Sequence, residues 1–164
     1  MRKTFSFTGA KKIIFGNGSL LTLATHIKEL HAQNPLVVID KNLAKTGLLE
    51  RVASILVSEG IKFTVYDKVD PEPGIELADE GAKLALKNKC DMVIGIGGGS
   101  AMDVAKAIAV LATNKGSAVD YLGLNKVPKQ GLPKIMIPTG TAVGAAALLL
   151  LITPKIKKWM HGIH

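Results

Sequence analysis

The sequence predicts an α/β fold, a parallel sheet with helices on both faces. Three features lead to it. The apolar runs Leu36-Val37-Val38-Ile39 and Met92-Val93-Ile94-Gly95-Ile96 do not alternate with polar residues, which is the pattern of strands covered on both sides. Stretches with helical apolar spacing separate these runs, so strand and helix alternate along the chain. Gly and Pro punctuate the joins.

The elements follow in order. Residues 12–15 read as a short strand, and Gly16-Asn17-Gly18-Ser19 as a turn that caps a helix carrying Leu20, Leu21, Leu23, Ala24, Ile27 and Leu30. Pro35 resets the chain before the strand at residues 36–39, which Asp40 ends. A second helix places Leu48, Leu49, Val52, Ala53, Leu56 and Val57 at helical spacing and stops at Gly60, a residue suited to a C-terminal cap. A strand over residues 61–66 follows. Asp70-Pro71-Glu72-Pro73-Gly74 is a turn, because neither proline can donate to a ladder. A third helix reaches about Asn88, a strand ends at Gly97, and a fourth helix covers residues 101–112. A loop rich in Gly and Pro over residues 114–133 leads to a strand at 134–137. The apolar stretch 142–152 has no alternation, so strand and helix both remain open for it.

Gly97-Gly98-Gly99-Ser100 carries the strongest chemical signal. Three glycines between a strand and a helix expose backbone N–H groups, and the helix N-terminus adds partial positive charge, an arrangement suited to a phosphate-bearing cofactor. The bland alternative is a tight turn with Ser100 and Asp103 as a capping pair. The usual dinucleotide fingerprint is not met, since Ser100 stands where its third glycine belongs, and no Gly-Lys-Ser/Thr loop occurs. Ligands of open α/β sheets bind outside the carboxyl ends of the strands. Asp40 and Pro138-Thr139-Gly140-Thr141 stand at two further ends. A carboxylate there can accept hydrogen bonds from ribose hydroxyls and repel a 2′-phosphate, so Asp40 favours NAD over NADP. Asp40 reads equally as a cap for the turn beginning Lys41-Asn42.

Composition narrows the classes. With 48% hydrophobic and 21% charged residues the chain is globular, and residues 142–152 are too short for a membrane span of roughly 20 apolar residues. No secretory signal follows Met1-Arg2-Lys3-Thr4, so the expected location is cytoplasmic. The net charge of +8 comes from scattered lysines with only 4% aromatic residues, which argues against nucleic acid. Cys90, the single cysteine, reads as a buried inert thiol. His26 and His31 read as surface residues. His161 and His164, with no carboxylate after Asp120, make at most half a metal site, and no metal is assigned to this chain.

Asp70-Pro71-Glu72-Pro73, the run Gly95-Ile96-Gly97-Gly98-Gly99-Ser100-Ala101-Met102-Asp103-Val104-Ala105-Lys106-Ala107, then Asp120-Tyr121-Leu122-Gly123 and Ile137-Pro138-Thr139 resemble, in order, the N-terminal half of the iron-containing alcohol dehydrogenases. Phe15-Gly16-Asn17-Gly18 is similar too. The resemblance implies a Rossmann-like domain that binds NAD or NADP, followed by an all-helical domain holding a divalent metal such as iron through one aspartate and three histidines. It assigns cofactor binding to Gly97, Gly98, Gly99, Ser100 and Asp103 at the glycine turn, to Asp40 at the ribose, and to Thr139 and Thr141 after the last parallel strand. A faint similarity over residues 149–158 would bring Lys157 to the cofactor.

Two departures qualify it. Pro138-Thr139-Gly140-Thr141-Ala142-Val143-Gly144-Ala145-Ala146 stands where the family usually reads Pro-Thr-Thr-Ala-Gly-Thr-Gly-Ser-Glu, which puts the Thr141 contact in doubt. The similarity spans residues 12–139, the remainder to 164 diverges, and the helical domain is expected to be absent. The expectation is a single dinucleotide-binding domain over residues 1–164, truncated and without the metal centre, whose parent reaction passes hydride between a small primary alcohol or diol and NAD. Dehydroquinate synthases and glycerol dehydrogenases share a related architecture, which leaves the substrate open. The alternatives are a noncatalytic scaffold that associates with copies of itself, and an enzyme completed by a separate helical metal-binding partner.

Overall fold

The computed structural model describes residues 11–122 and 126–139 together with the backbone of a strand at Leu148–Thr153. The elements are β1 (Lys12–Gly16), α1 (Leu23–Glu29), β2 (Pro35–Asp40), α2 (Leu48–Ser58), β3 (Thr64–Val69), α3 (Glu76–Lys87), β4 (Met92–Gly97), α4 (Gly99–Leu111), β5 (Lys134–Pro138) and β6 (Leu148–Thr153). They form one six-stranded sheet in the order β1-β6-β5-β4-β2-β3. The strands β5, β4, β2 and β3 are mutually parallel, and β6 is inserted antiparallel between β5 and β1.

Strand periodicity explains why the central runs are continuously apolar. Val37 and Ile39, Ile94 and Ile96, and Ile135 and Ile137 face a core built with α1 and α2. Their alternates Leu36, Val38, Val93 and Met136 face α3 and α4. On that second face Gly95 lets α4 settle onto β4: a Cβ there would stand 2.7 Å from Ala105 Cβ. Gly81 serves α3 in the same way, against Ile108 of α4. Tyr66 is buried beside them with its hydroxyl unpaired among the described residues, and burial, then the Glu80 carboxylate, push its ionisation up to about 12.

Three helices end in the same backbone motif. After α2, Gly60 N–H donates to Val57 O and Ile61 N–H to Leu56 O, with Gly60 at φ +68°. The commitment of Ile61 to that cap is why β3 begins at Thr64, later than the composition suggests. The same bonds close α1 at His31 and α3 at Lys89, whose φ values of 56° and 54° lie in the left-handed region. A non-glycine residue pays about 1–2 kcal/mol there. Lys89 is exposed, so Lys89→Gly is expected to raise stability by about 0.5–1 kcal/mol; urea denaturation would read it as a higher midpoint with an unchanged slope.

The first helix opens with a 3-10 turn at Ser19–Thr22 rather than as one α-helix, because Gly18 at φ 77° precedes it with no side-chain cap. His26 departs from expectation more sharply. It is 7% exposed, not a surface residue, and its Nδ1 lies 2.8 Å from Glu29 Oε2. That contact, with Lys12, holds the Glu29 carboxyl below its usual range. Cys90 is half-buried and its thiol is pushed up by burial, in keeping with an inert role. Residues 148–152 of the apolar tail lie in β6, so they form a strand; residues 140–147 lie outside the described ones.

Lys134 is the first residue of β5 and half-buried, and burial, then the nearby Lys106 charge, lower its pKa. A lysine with a lowered folded pKa is destabilising while it stays charged, and the penalty lifts as pH rises through that value toward the unfolded one near 10.5. Lys134→Met should therefore stabilise by about 1 kcal/mol at pH 7, with the advantage shrinking toward pH 10 in paired denaturation curves.

Candidate functional site

Chain order in the sheet reverses between β2 and β4. From β2 the chain steps to β3 on one side, then returns to β4 on the other and continues to β5. The helix after β2 covers one face and the helix after β4 the opposite face. A crevice at the carboxyl edge results, the position where open α/β sheets hold ligands. Register lines up four strand ends there. Ile39 pairs with Ile96, so Asp40 and Gly97 emerge side by side; Asp40 pairs with Val69, which precedes Asp70; Gly97 pairs with Pro138, which precedes Thr139.

The three glycines of the turn serve different ends. Gly97 is buried at φ +144°, and a Cβ on it would meet Ala101 Cβ at 2.8 Å, so both backbone and packing require glycine. Gly98 is exposed at φ −79° and ψ −169°, ordinary extended backbone. A Cβ at Gly98 or Gly99 would meet none of the described residues within 4 Å. Among the described residues nothing demands glycine at these two positions. They open onto the N-terminus of α4, a 13-residue helix with no side-chain cap. Its first N–H groups have no intrahelical partner and lie at the carboxyl edge of the sheet, a geometry suited to an anion.

The capping reading of Ser100 and Asp103 is corrected by this geometry. Ser100 stands inside the first turn of α4, and its Oγ donates to Pro71 O at 2.8 Å, tying the helix start to the β3–α3 turn. Asp103 is exposed and accepts from Lys106 Nζ at 3.2 Å. For Asp40 the cap is present: Oδ1 accepts from Asn42 N–H at 2.8 Å and Leu43 N–H at 3.2 Å. These bonds aim the carboxylate rather than consume it, since Oδ2 accepts none of the hydrogen bonds among the described residues. Its Cβ lies 3.6 Å from the position a Cβ on Gly97 would take.

Thr139 N–H donates to Gly97 O at 3.0 Å, so the threonine that follows β5 is clamped to the glycine turn. Its Oγ1 is buried and has no partner among the described residues. An unpaired buried hydroxyl is costly and fits a ligand atom completing it. Gly97, Gly98, Gly99, Ser100, Asp40 and Thr139 thus converge on one edge. Thr141, Lys157, His161 and His164 lie outside the described residues.

Sequence reasoning missed the pair Lys41–Asp70, whose Nζ and Oδ1 are 2.5 Å apart. The pairing lifts the Lys41 pKa above its ordinary value, through Asp70 first and Asp40 less. No spacing rule reveals it, because the partners come from adjacent strand ends. A cleft of about 690 Å³ also runs along α4 past Ser100 and Asp103, with Ile75, Val110, Leu122 and Val127 on its walls. Among the described residues no group of three or more His, Cys, Asp and Glu is placed to hold a metal ion. None of the described helices is long and apolar enough to cross a membrane.

The family model described as iron-containing alcohol dehydrogenase matches residues 10–155. Long-chain-alcohol dehydrogenase 1 of Geobacillus thermodenitrificans is 45% identical over 133 residues, 79% of this chain and 34% of the relative. NAD-dependent methanol dehydrogenase of Bacillus methanolicus is 34% identical across 88% of this chain and 38% of its own length. The crystal structure of sulfoacetaldehyde reductase from Bifidobacterium kashiwanohense, in complex with NAD+, superposes with a TM-score of 0.74 at 30% identity, covering 84% of this chain and 36% of that one. The chain spans about a third of the length of the curated relatives it matches. With its glycine turn at the sheet's switch point and these matches across most of its length, the chain belongs to the iron-containing alcohol dehydrogenase family.

Proposed function

We propose that these residues form the dinucleotide-binding part of an iron-type alcohol dehydrogenase, with NAD as the cofactor and a small primary alcohol or diol as the partner in hydride transfer. The observation that carries this reading is the pair Gly98 and Gly99 at a helix N-terminus, where none of the described residues comes close enough to require glycine. Their backbone and the first N–H groups of α4 would hold the diphosphate. Asp40 would accept from the ribose hydroxyls, which favours NAD over NADP. The buried Thr139 hydroxyl would find its partner on the same ligand, and Thr141 and Lys157 are proposed as further contacts. Bound NAD supplies the hydride acceptor.

The described residues do not fit a metal centre, since no three or more His, Cys, Asp or Glu among them come together. The family's divalent metal is assigned in this reading to a helical domain outside the 164 residues, whether in the same protein or in a partner. Titration with NADH, followed by nicotinamide fluorescence, is expected to saturate. No binding up to millimolar concentration would overturn the reading. It would favour an association module, for which the exposed Ile75, Val119, Leu122 and Val127 offer apolar surface.

A further inference from the structure

The three charged side chains at the ends of β2 and β3 form one arrangement. Lys41 follows Asp40 directly, and its own N–H donates to Val69 O at 3.1 Å, which fixes its backbone against β3. Its ammonium then reaches Asp70 Oδ1 at 2.5 Å. Asp70 is anchored in turn, because the next carbonyl, Pro71 O, accepts the Ser100 hydroxyl from α4. Asp40 has one oxygen committed to the turn at Asn42 and Leu43 and stands beside Gly97. The trio carries a single net negative charge. Without Asp70 it would be neutral, with a free ammonium next to the carboxylate that meets the ribose. A dinucleotide bearing a 2′-phosphate needs a cation at this place, and a lysine supplies one as a mobile point charge.

We infer that Asp70 is a specificity-determining residue: by holding Lys41 Nζ it denies a 2′-phosphate its cation, so discrimination between NAD and NADP is set by Asp40, Lys41 and Asp70 together. The inference rests on the cofactor reading above. It assigns Asp70 a role through Lys41, as a positioning residue that has no need to touch the ligand.

The test measures dissociation constants for NADH and NADPH on the 164-residue chain by nicotinamide fluorescence, at low salt and in 0.5 M salt. Asp70→Asn is expected to improve NADPH relative to NADH by about twofold to fivefold, the range of one exposed charge pair. The gain should vanish in Asp70→Asn/Lys41→Gln and at high salt. Lys41→Gln alone should give NADPH no gain over NADH, since it removes the ammonium and leaves two carboxylates at the site. An unchanged ratio in Asp70→Asn, or an equal gain with Lys41 removed, overturns the inference. So does a relative gain for NADPH in Lys41→Gln alone, which also serves if Asp70→Asn fails to fold. A parent chain that binds neither dinucleotide overturns the cofactor reading itself, whereas NADH binding with an inert Asp70→Asn overturns only this step.

Discussion

Gly98→Asp is expected to abolish saturable NADH binding while leaving the melting temperature unchanged or slightly higher. The two readouts separate because the position faces outward. Gly98 occupies the N-cap of α4 in extended backbone that any residue adopts, and a Cβ there meets no atom of the described residues within 4 Å. Aspartate is a favoured N-cap, exceeding glycine by a few tenths of a kcal/mol, and its charge complements the helix dipole. The same carboxylate occupies the space proposed for the diphosphate and takes up the N–H donors aimed at it. Like charges at such contact cost several kcal/mol, so affinity should fall at least about 100-fold, or about 2.7 kcal/mol. A variant that melts normally and still binds NADH with the parent's affinity would remove the glycine turn from the cofactor site. Gly98→Ala is a milder control with stability within about 0.5 kcal/mol of the parent.

One residue earlier, Gly97→Ala should produce the opposite pattern, a large loss of stability. Alanine at φ +144° is strained by about 1–3 kcal/mol. Its Cβ would also stand 2.8 Å from Ala101 Cβ, an overlap that must push α4 off β4. Overpacking of this kind adds about 1–3 kcal/mol. A total of about 3 kcal/mol is a large part of an ordinary domain's stability and corresponds to a fall in Tm of about 10 °C. Calorimetry on Gly97→Ala and Gly98→Ala side by side would decide the matter. Equal melting temperatures would mean that the two glycines are not divided between fold and ligand as described.

Comparison of particular elements shows what was legible before folding. The runs at residues 36–39 and 92–96 are readable as doubly covered strands because burial on both faces leaves no polar position to interrupt them. Gly60 is readable as a helix stop because few residues tolerate left-handed backbone. His31 and Lys89 perform the same task without any signal, since their caps are imposed by Ala32 and Cys90 returning to bond Ile27 and Ala85. The antiparallel course of β6 is equally silent: an apolar stretch without alternation suits either direction, and its place between β1 and β5 depends on partners far away in the chain.

The candidate site divides along the same line. Local chemistry announces the glycine turn, the acid closing β2 and the threonine closing β5, because a residue's type and its place at a strand end are properties of short segments. Which glycine serves the backbone and which the open crevice depends on what surrounds each one, and that is known only once α4 lies on β4. The union of Asp40, Lys41 and Asp70, and the redirection of Ser100 from a helix cap to Pro71, arise for a like reason. Strand order brings the ends of β2, β3 and β4 within hydrogen-bonding reach, and strand order is a long-range property that short-range residue preferences do not encode.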